Sequence, residues 1–166
     1  HIIFVERKIV EYKKEKDKCN DRKTKILFHG TNLDTLIHIL SSHFRKSKFN
    51  PLGEGISLTD DLDYCSYYGK INNSRVKYGM IPEVGEKISL VCSEIFYDGN
   101  YLEKVEDYKY QISVQKNEIR YGYMNAGLEI IGSKELISNS LFFKDYVISN
   151  IDQILPLYGL VLRRVI

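Results

Sequence analysis

The chain has 166 residues, of which 43% are apolar and 28% are charged. These values are typical of one globular domain that buries about two-thirds of its unfolded surface. No apolar stretch approaches the roughly 20 residues that a membrane-spanning helix needs, so we expect no membrane partner bound through such a helix. The sequence begins with His1 rather than Met, and we therefore expect a processed form or a fragment of a longer protein.

Charge and cysteine usage limit the classes of partner and cofactor. Residues 7–25 carry a net charge of +5, which leaves −3 for the rest of the chain. A solvated, partly helical arm explains this surplus, and a weak site for nucleic acid, a membrane surface or an acidic partner is the alternative. Cys19, Cys65 and Cys92 are odd in number and show no zinc-ligand spacing, which favours a reducing compartment and no bound metal.

The N-terminal part of the chain predicts a strand and a helix behind a charged segment. Residues 1–24 are interpreted as a strand or helix followed by a basic arm, and 25–29 as a short buried strand. Apolar residues then recur at helical spacing, which predicts a helix from about 33 to 42 with Asn32 as its N-cap. The polar, basic segment 41–51 is interpreted as a loop.

A glycine-rich turn precedes the next two predicted elements. Residues 56–58 form a short strand after this turn. Asp60 and Asp61 offer N-cap chemistry for a following helix, and 69–80 is interpreted as a loop. The side chains assigned to that helix are Leu62, Tyr64, Cys65 and Tyr68.

The C-terminal half is dominated by strand patterns. Apolar runs and alternating apolar and polar residues predict strands, whereas 121–140 is mixed and glycine-punctuated. Pro156 is expected at the entrance of the last strand. The predicted helices cluster in the first half of the chain and most predicted strands in the second. This order favours an α+β fold with a mostly antiparallel sheet. The predicted strands are 88–97, 108–115, 142–149 and 157–166.

Four short motifs carry candidate chemistry, although each has a plain structural explanation on its own. His29 ends the first strand and is followed by Gly30, and a lone histidine is commonly structural. The turn 53–55 (GEG) is too short for a dinucleotide fingerprint. Asp145 alone would be a charge at a strand edge, and the tyrosines of 64–68 (YCSYY) would be core and surface of one helix.

Taken in order, these motifs resemble the catalytic domain of the poly(ADP-ribose) polymerase-like, His-Tyr-Glu type ADP-ribosyltransferases. The resemblance involves 27–31 (LFHGT), 53–56 (GEGI), 64–68 (YCSYY) and 145–158, and it assigns 25–166 to one catalytic domain behind the segment 1–24. It implies a split, mostly antiparallel β-sheet core with a few peripheral helices around a cleft that holds NAD.

The resemblance also implies roles for individual residues. His29 would hydrogen-bond the adenosine ribose, and Gly30 would hold the nicotinamide carboxamide through its backbone. Tyr68 would stack on the nicotinamide ring. A carboxylate, here Asp145, would stabilise the oxocarbenium-like state that forms when the nicotinamide–ribose bond breaks. The catalytic set is then His29, Ser57 and Asp145, and the NAD-binding set is His29, Gly30, Thr31, Ser57, Cys65 and Tyr68.

Three positions depart from the family pattern. Ser57 stands where the family has tyrosine, and it loses a stacking face while keeping a hydroxyl. Asp145 stands where the family has glutamate, and it keeps the charge with about one ångström less reach. Cys65 replaces a serine with a weaker hydrogen-bonding group. Since polymer synthesis in the family goes with the intact glutamate, these changes favour transfer of one ADP-ribose unit.

We therefore expect an intracellular, cytosolic or nuclear enzyme that transfers a single ADP-ribose from the co-substrate NAD to a protein acceptor and releases nicotinamide. If the protein is a secreted effector, the compartment would be the cytosol of a target cell. Segment 127–143 lies where the family places its acceptor-facing loop, and 43–48 lies at its donor-side loop. A weak or inactive module that binds NAD, ADP-ribose or a protein partner is the alternative, and another transfer chemistry from a nucleotide is a third.

Overall fold

A computed structural model of the chain describes residues 2–48, 53–66, 68–69, 84–99, 102–104, 119–125, 130–131 and 142–165. Within these ranges no helix is long and apolar enough to cross a membrane. The helices are α1 (Ile2–Asp17), α2 (Leu33–Ser41) and α3 (Leu62–Ser66), and a 3-10 helix covers Ile151–Gln153. The strands are β1 (Arg22–Gly30), β2 (Ile56–Leu58), β3 (Lys87–Asp98), β4 (Leu102–Lys104), β5 (Ile119–Asn125), β6 (Ile130–Ile131), β7 (Phe142–Ile148) and β8 (Ile154–Arg163).

The described strands form two sheets. One sheet has the order β1-β3-β8 and is antiparallel throughout. The other has the order β2-β7-β5-β4, with β6 paired to β5, and only β4 and β5 run parallel among its described pairs. The α+β class and the mostly antiparallel sheets expected from the sequence are thereby confirmed.

The two sheets meet where β1 and the end of β2 approach each other. Phe28 donates its backbone N–H to the carbonyl of Thr59 at 2.7 Å, and Thr59 donates back to Phe28 at 2.8 Å. The main apolar core fills the space between the sheets and α2, so the residues that follow this bridge are held against a packed interior. Its buried members include Leu27, Leu36, Ile39, Ile56, Leu58, Val91, Ile95, Ile119, Ile148 and Ile154.

Helix α1 lies against the three-stranded sheet through an aromatic contact and a polar one. Tyr12 packs edge-on against Phe96 of β3, with ring centroids 5.4 Å apart. The Tyr12 hydroxyl and the Lys16 ammonium both donate to Glu94, at 2.6 and 2.8 Å. The Lys8 ammonium donates to the carbonyl of Ile39 at 3.2 Å, and so ties α1 to the last turn of α2. The predicted N-terminal segment therefore contains a helix that packs on the sheet.

Several cations of the basic segment 7–25 are paired with carboxylates of the protein. Lys16 contacts Glu94 on the neighbouring strand, and Lys25 of β1 contacts Asp60 at 3.2 Å. Lys18 and Arg22 form further pairs with Glu15 and Asp17 within the segment itself. These ion pairs neutralise part of the positive charge of the segment 7–25 within the fold.

Element boundaries differ from the sequence-based predictions at three places. Strand β1 begins at Arg22 rather than at residue 25, because its exposed polar start pairs with the far end of β3. Strand β8 begins at Ile154, so Pro156 lies within it opposite Ser93, beside a register shift at which β8 has one extra residue, Leu157. Helix α3 ends at Ser66, and Tyr68 therefore follows the helix instead of belonging to it.

The helix caps and the remaining predictions have mixed outcomes. Asn32 caps α2 as predicted, since its side chain accepts the N–H of Thr35 at 2.8 Å. Asp61 accepts the N–H groups of α3, whereas Asp60 turns away to Lys25. The predicted strand 108–115 and most of the predicted loop 69–80 lie outside the described residues.

Candidate functional site

His29 lies at the end of β1, directly after the bridge between the sheets. Its ring nitrogen Nδ1 is 2.8 Å from the carbonyl oxygen of Ser57. Because a carbonyl only accepts hydrogen bonds, Nδ1 carries the proton, and Nε2 is the acceptor nitrogen of the neutral ring. Burial lowers the pKa of His29, and the bond to Ser57 only partly opposes this. Phe44 packs edge-on against the ring at 5.4 Å, which fixes its orientation.

Ser57 and Asp145 meet across the antiparallel pair of β2 and β7. Ser57 stands opposite Val147 in the register, so Asp145, two residues along β7, projects from the same face of the sheet. The Ser57 hydroxyl donates to Oδ1 of Asp145 in a short hydrogen bond. Asp145 is only 2% exposed. Burial raises the pKa of Asp145 to about 7, although the bond from Ser57 works in the opposite direction.

Two tyrosines lie close to this carboxyl on α3 and the turn after it. Tyr64 and Tyr68 meet edge-on with ring centroids 5.4 Å apart, and their hydroxyl oxygens are 3.3 Å apart. Burial raises the pKa of Tyr64 well above its ordinary value, and the negative charge of Asp145 adds to this effect. Tyr64 is buried, whereas Tyr68 is partly exposed. Tyr64 therefore presents a neutral hydroxyl group near the carboxyl over the ordinary pH range.

Gly30 is packed against the backbone of α3. A β-carbon at this position would lie 2.1 Å from the carbonyl oxygen of Cys65, so a side chain cannot be accommodated without moving the backbone. The same carbonyl accepts the N–H groups of Tyr68 and Gly69, at 3.1 and 3.0 Å. Packing by itself therefore requires glycine at this position, independently of any ligand.

Thr31 and Cys65 have mainly structural contacts in the described part of the chain. The N–H of Thr31 donates to the carbonyl of Ser89 at 3.1 Å, and the Ser89 hydroxyl donates to the carbonyl of Thr31. Burial raises the pKa of the Cys65 thiol to about 12, so it stays protonated and is a poor nucleophile. Thr31 directly follows Gly30 in the chain, and Cys65 directly follows Tyr64.

The basic loop 43–48 is attached to the glycine turn that precedes β2. Ser47 and Gly55 exchange two backbone hydrogen bonds, at 2.9 and 3.1 Å. A β-carbon at Gly55 would lie 2.7 Å from the carbonyl oxygen of Ile148, so the turn also packs closely on β7. The exposed side chains of the loop are those of Arg45, Lys46, Ser47 and Lys48. The backbone of the basic loop is thus attached to the chain two residues before Ser57.

The structure brings His29, Ser57 and Asp145 into one connected arrangement, with Ser57 bonded to both of the others. Tyr68 is linked to this group through Tyr64, which interacts with the charge of Asp145 and lies outside the site predicted from the sequence. The four-residue spacing of the two tyrosines was the available signal, because it places both on one side of the chain near α3.

The described residues contain no group of three or more His, Cys, Asp or Glu side chains that could hold a metal ion. The arrangement offers an acceptor nitrogen, an ionisable carboxyl and two phenol hydroxyl groups, and a basic loop is attached two residues before Ser57. Such a set can bind a sugar hydroxyl, stabilise a developing positive charge and attract an anionic ligand. In comparisons with known proteins, no family model and no curated protein matches this chain.

Proposed function

We propose that the protein is an NAD-dependent ADP-ribosyltransferase that transfers a single ADP-ribose unit to a protein acceptor and releases nicotinamide. The observation that supports the proposal is the bonded series His29–Ser57–Asp145, in which an imidazole and a carboxyl lie on either side of one serine. The resemblance of the sequence motifs to the poly(ADP-ribose) polymerase-like family assigns the same three positions to the reaction.

Donor binding would use the neutral imidazole and the basic loop. Nε2 of His29 would accept a hydrogen bond from a ribose hydroxyl, since Nδ1 is occupied by Ser57. Arg45, Lys46 and Lys48 would offset the charge of the pyrophosphate. Tyr68, partly exposed beside Tyr64, would supply the aromatic face for the nicotinamide ring. Gly30, Thr31 and Cys65 would shape the wall of the cleft.

The chemical step would break the bond between the nicotinamide nitrogen and C1′ of the ribose, with the electron pair leaving on nicotinamide. The ribose then carries positive charge, which an ionised Asp145 would stabilise through the 2′-hydroxyl and by direct electrostatic attraction. A nucleophilic side chain of the acceptor protein would form the new bond to C1′ and lose its proton. Because Asp145 is half ionised near pH 7, we expect the rate to rise between pH 6 and 8.

The compartment proposed for this reaction is the cytosol or nucleus, or the cytosol of a target cell for a secreted effector. All three cysteines are free and buried, as a reducing compartment would keep them. NAD is the co-substrate, and the proposal includes neither a metal nor a membrane partner.

One observation favours a second candidate, a module that binds NAD or ADP-ribose without turnover. Asp145 is buried, uses one oxygen on Ser57 and is protonated in half of the molecules near pH 7. A carboxyl in that state binds a ribose hydroxyl as a neutral group but stabilises a cation poorly.

Labelled NAD separates these candidates. We expect the parent protein to release nicotinamide and to label proteins of a cell extract, and expect Asp145→Ala to lose both activities. His29→Ala should raise the KM for NAD. Calorimetric binding of NAD without nicotinamide release would support the binding module, and the absence of both binding and release would contradict both candidates.

A further inference from the structure

Ser57 forms hydrogen bonds to both His29 and Asp145, and it does so with two different groups. Its backbone carbonyl accepts from Nδ1 of His29, and its side-chain hydroxyl donates to Oδ1 of Asp145. The two contacts can therefore be removed separately, because a side-chain substitution deletes the second and leaves the first in place.

The backbone of Ser57 is held rigidly in the core. Ile56 and Leu58 on either side are 3% and 1% exposed and belong to the main apolar core. Strand β2 pairs with β7 over its whole length, so the position of the hydroxyl relative to Asp145 is set by the sheet register. A donor fixed in this way selects one carboxylate oxygen and one side-chain rotamer.

We propose that Ser57 is a positioning residue whose hydroxyl orients Asp145, so that Oδ1 is held by the protein and Oδ2 is presented to the ribose of the donor. This inference rests on the proposed function. It explains how a carboxylate one methylene shorter than that of the family is kept in a defined position. In this chain serine replaces the family's tyrosine and aspartate replaces its glutamate. The serine hydroxyl would then compensate for the shorter side chain of the aspartate.

Two titratable groups that interact with Asp145, Tyr64 and Cys65, do not titrate in the range where the effect would be measured. Tyr64 and Cys65 both interact with its charge. Burial raises the pKa of Tyr64 far above neutrality and that of Cys65 to about 12, so both stay neutral below pH 9. His29 bonds to the carbonyl of Ser57 and not to its hydroxyl. A change in the titration of Asp145 upon substitution of Ser57 would therefore report on the hydroxyl contact.

The test uses Ser57→Ala, which deletes the hydroxyl, and Ser57→Thr, which keeps it on a residue suited to a strand. Carbon-13 NMR of the aspartate carboxyl groups follows the titration of Asp145 in the protein without NAD. We expect Ser57→Ala to raise the pKa of Asp145 and Ser57→Thr to leave it close to that of the parent. Ser57→Cys, a weaker donor of similar size, replaces Ser57→Ala if the alanine variant does not fold.

Kinetics with NAD supply the second measurement. At pH 7 we expect Ser57→Ala to lower kcat by about tenfold. Loss of a hydrogen bond to a charged group commonly changes a rate or equilibrium constant by about tenfold or more. The KM for NAD should change by less than about twofold, because the contact from Ser57 to His29 is unchanged. Ser57→Thr should restore kcat to within about threefold of the parent.

The two measurements distinguish failure of this inference from failure of the proposed function. If the titration of Asp145 is the same in the parent and in Ser57→Ala, the inference is wrong even where transfer activity is present. The inference is also overturned if a folded Ser57→Thr behaves like Ser57→Ala. If no variant consumes NAD, the proposed function is wrong and the donor-directed role falls with it, whereas the NMR titration still decides whether the hydroxyl holds the carboxyl.

Discussion

Gly30 and Cys65 are in direct backbone contact: a β-carbon on Gly30 would lie 2.1 Å from the carbonyl oxygen of Cys65 and 3.1 Å from its α-carbon. Gly30→Ala would therefore push β1 and α3 apart. We expect it to lower the free energy of unfolding by roughly 1–3 kcal/mol, the usual range for overpacking. Urea unfolding of the variant and the parent measures this difference.

Gly159→Ala is the matched control for that substitution. Its β-carbon would lie 2.6 Å from Cδ2 of Leu36 and 3.0 Å from Cδ1 of Leu40, which are ends of flexible side chains. These side chains can rotate away, whereas the Cys65 carbonyl cannot. Gly159→Ala should therefore lower the free energy of unfolding by less than Gly30→Ala does. Equal costs would show that the backbone contact does not decide the stability at position 30.

Asp145 makes the stability of the protein depend on pH. Burial raises the pKa of Asp145 from 3.8 to about 7, so the folded state keeps a proton that the unfolded chain releases above about pH 4. The free energy of unfolding should therefore fall as the pH rises from 4 to 7 and then level off. We expect Asp145→Asn to match the parent near pH 4 and to exceed it by on the order of 3 kcal/mol at pH 8. Urea unfolding at pH 4, 6 and 8 tests this, and parallel curves for the two proteins would contradict it.

Ser93 carries a buried hydroxyl on β3 for which the described residues provide no hydrogen-bond partner. It is fully buried, between Val91 and Ile95 on the core-facing side of the strand. A buried hydroxyl without a partner costs free energy, so Ser93→Ala should raise the free energy of unfolding by about 1 kcal/mol. Thermal unfolding followed by circular dichroism measures the change.

Ser89 on the same strand serves as the control for Ser93. It is also fully buried, but its hydroxyl donates to the carbonyl of Thr31. Ser89→Ala leaves that carbonyl with one hydrogen bond fewer. We therefore expect it to lower the free energy of unfolding by about 1 kcal/mol. A stabilising effect at both positions, or at neither, would be inconsistent with the different hydrogen bonding of the two serines.

Tyr12 holds α1 to the sheet through its ring and its hydroxyl. Tyr12→Phe keeps the edge-on contact with Phe96 and removes the hydrogen bond to Glu94. It should therefore lower the free energy of unfolding by about 1 kcal/mol. Tyr12→Ala removes both contacts and should cost about 3 kcal/mol. Hydrogen exchange of the amides of α1 should speed up in the same order. Equal effects of the two substitutions would mean that the ring contact adds nothing to the attachment of the helix.

Elements with strong local signals were predicted well from the sequence. Helix α2 was found because Asn32 caps it and its apolar residues recur at helical spacing, and both features are local. Strand β2 was predicted at its observed residues because a glycine turn directly precedes it. In these cases the neighbouring residues in the chain determine the conformation.

Elements that depend on distant partners were predicted less well. Residues 22–24 are exposed and polar, and they are in a strand only because β3 pairs with them. Pro156 sits inside β8 because that strand lies at the edge of its described sheet, next to a bulge. The bond from Ser57 to Asp145 joins residues 88 positions apart, and no local pattern at either position contains it.

The bridge between Phe28 and Thr59 has a mechanical consequence for the group formed by His29, Ser57 and Asp145. His29 belongs to one sheet and Asp145 to the other, and the bridge joins the sheets one residue before His29 and two residues after Ser57. The distance between the imidazole and the carboxyl group therefore depends on how closely this bridge holds the two sheets together. If the proposed transferase function holds, a substitution that separates the two sheets at this bridge would lower kcat even though it lies outside the set His29, Ser57 and Asp145.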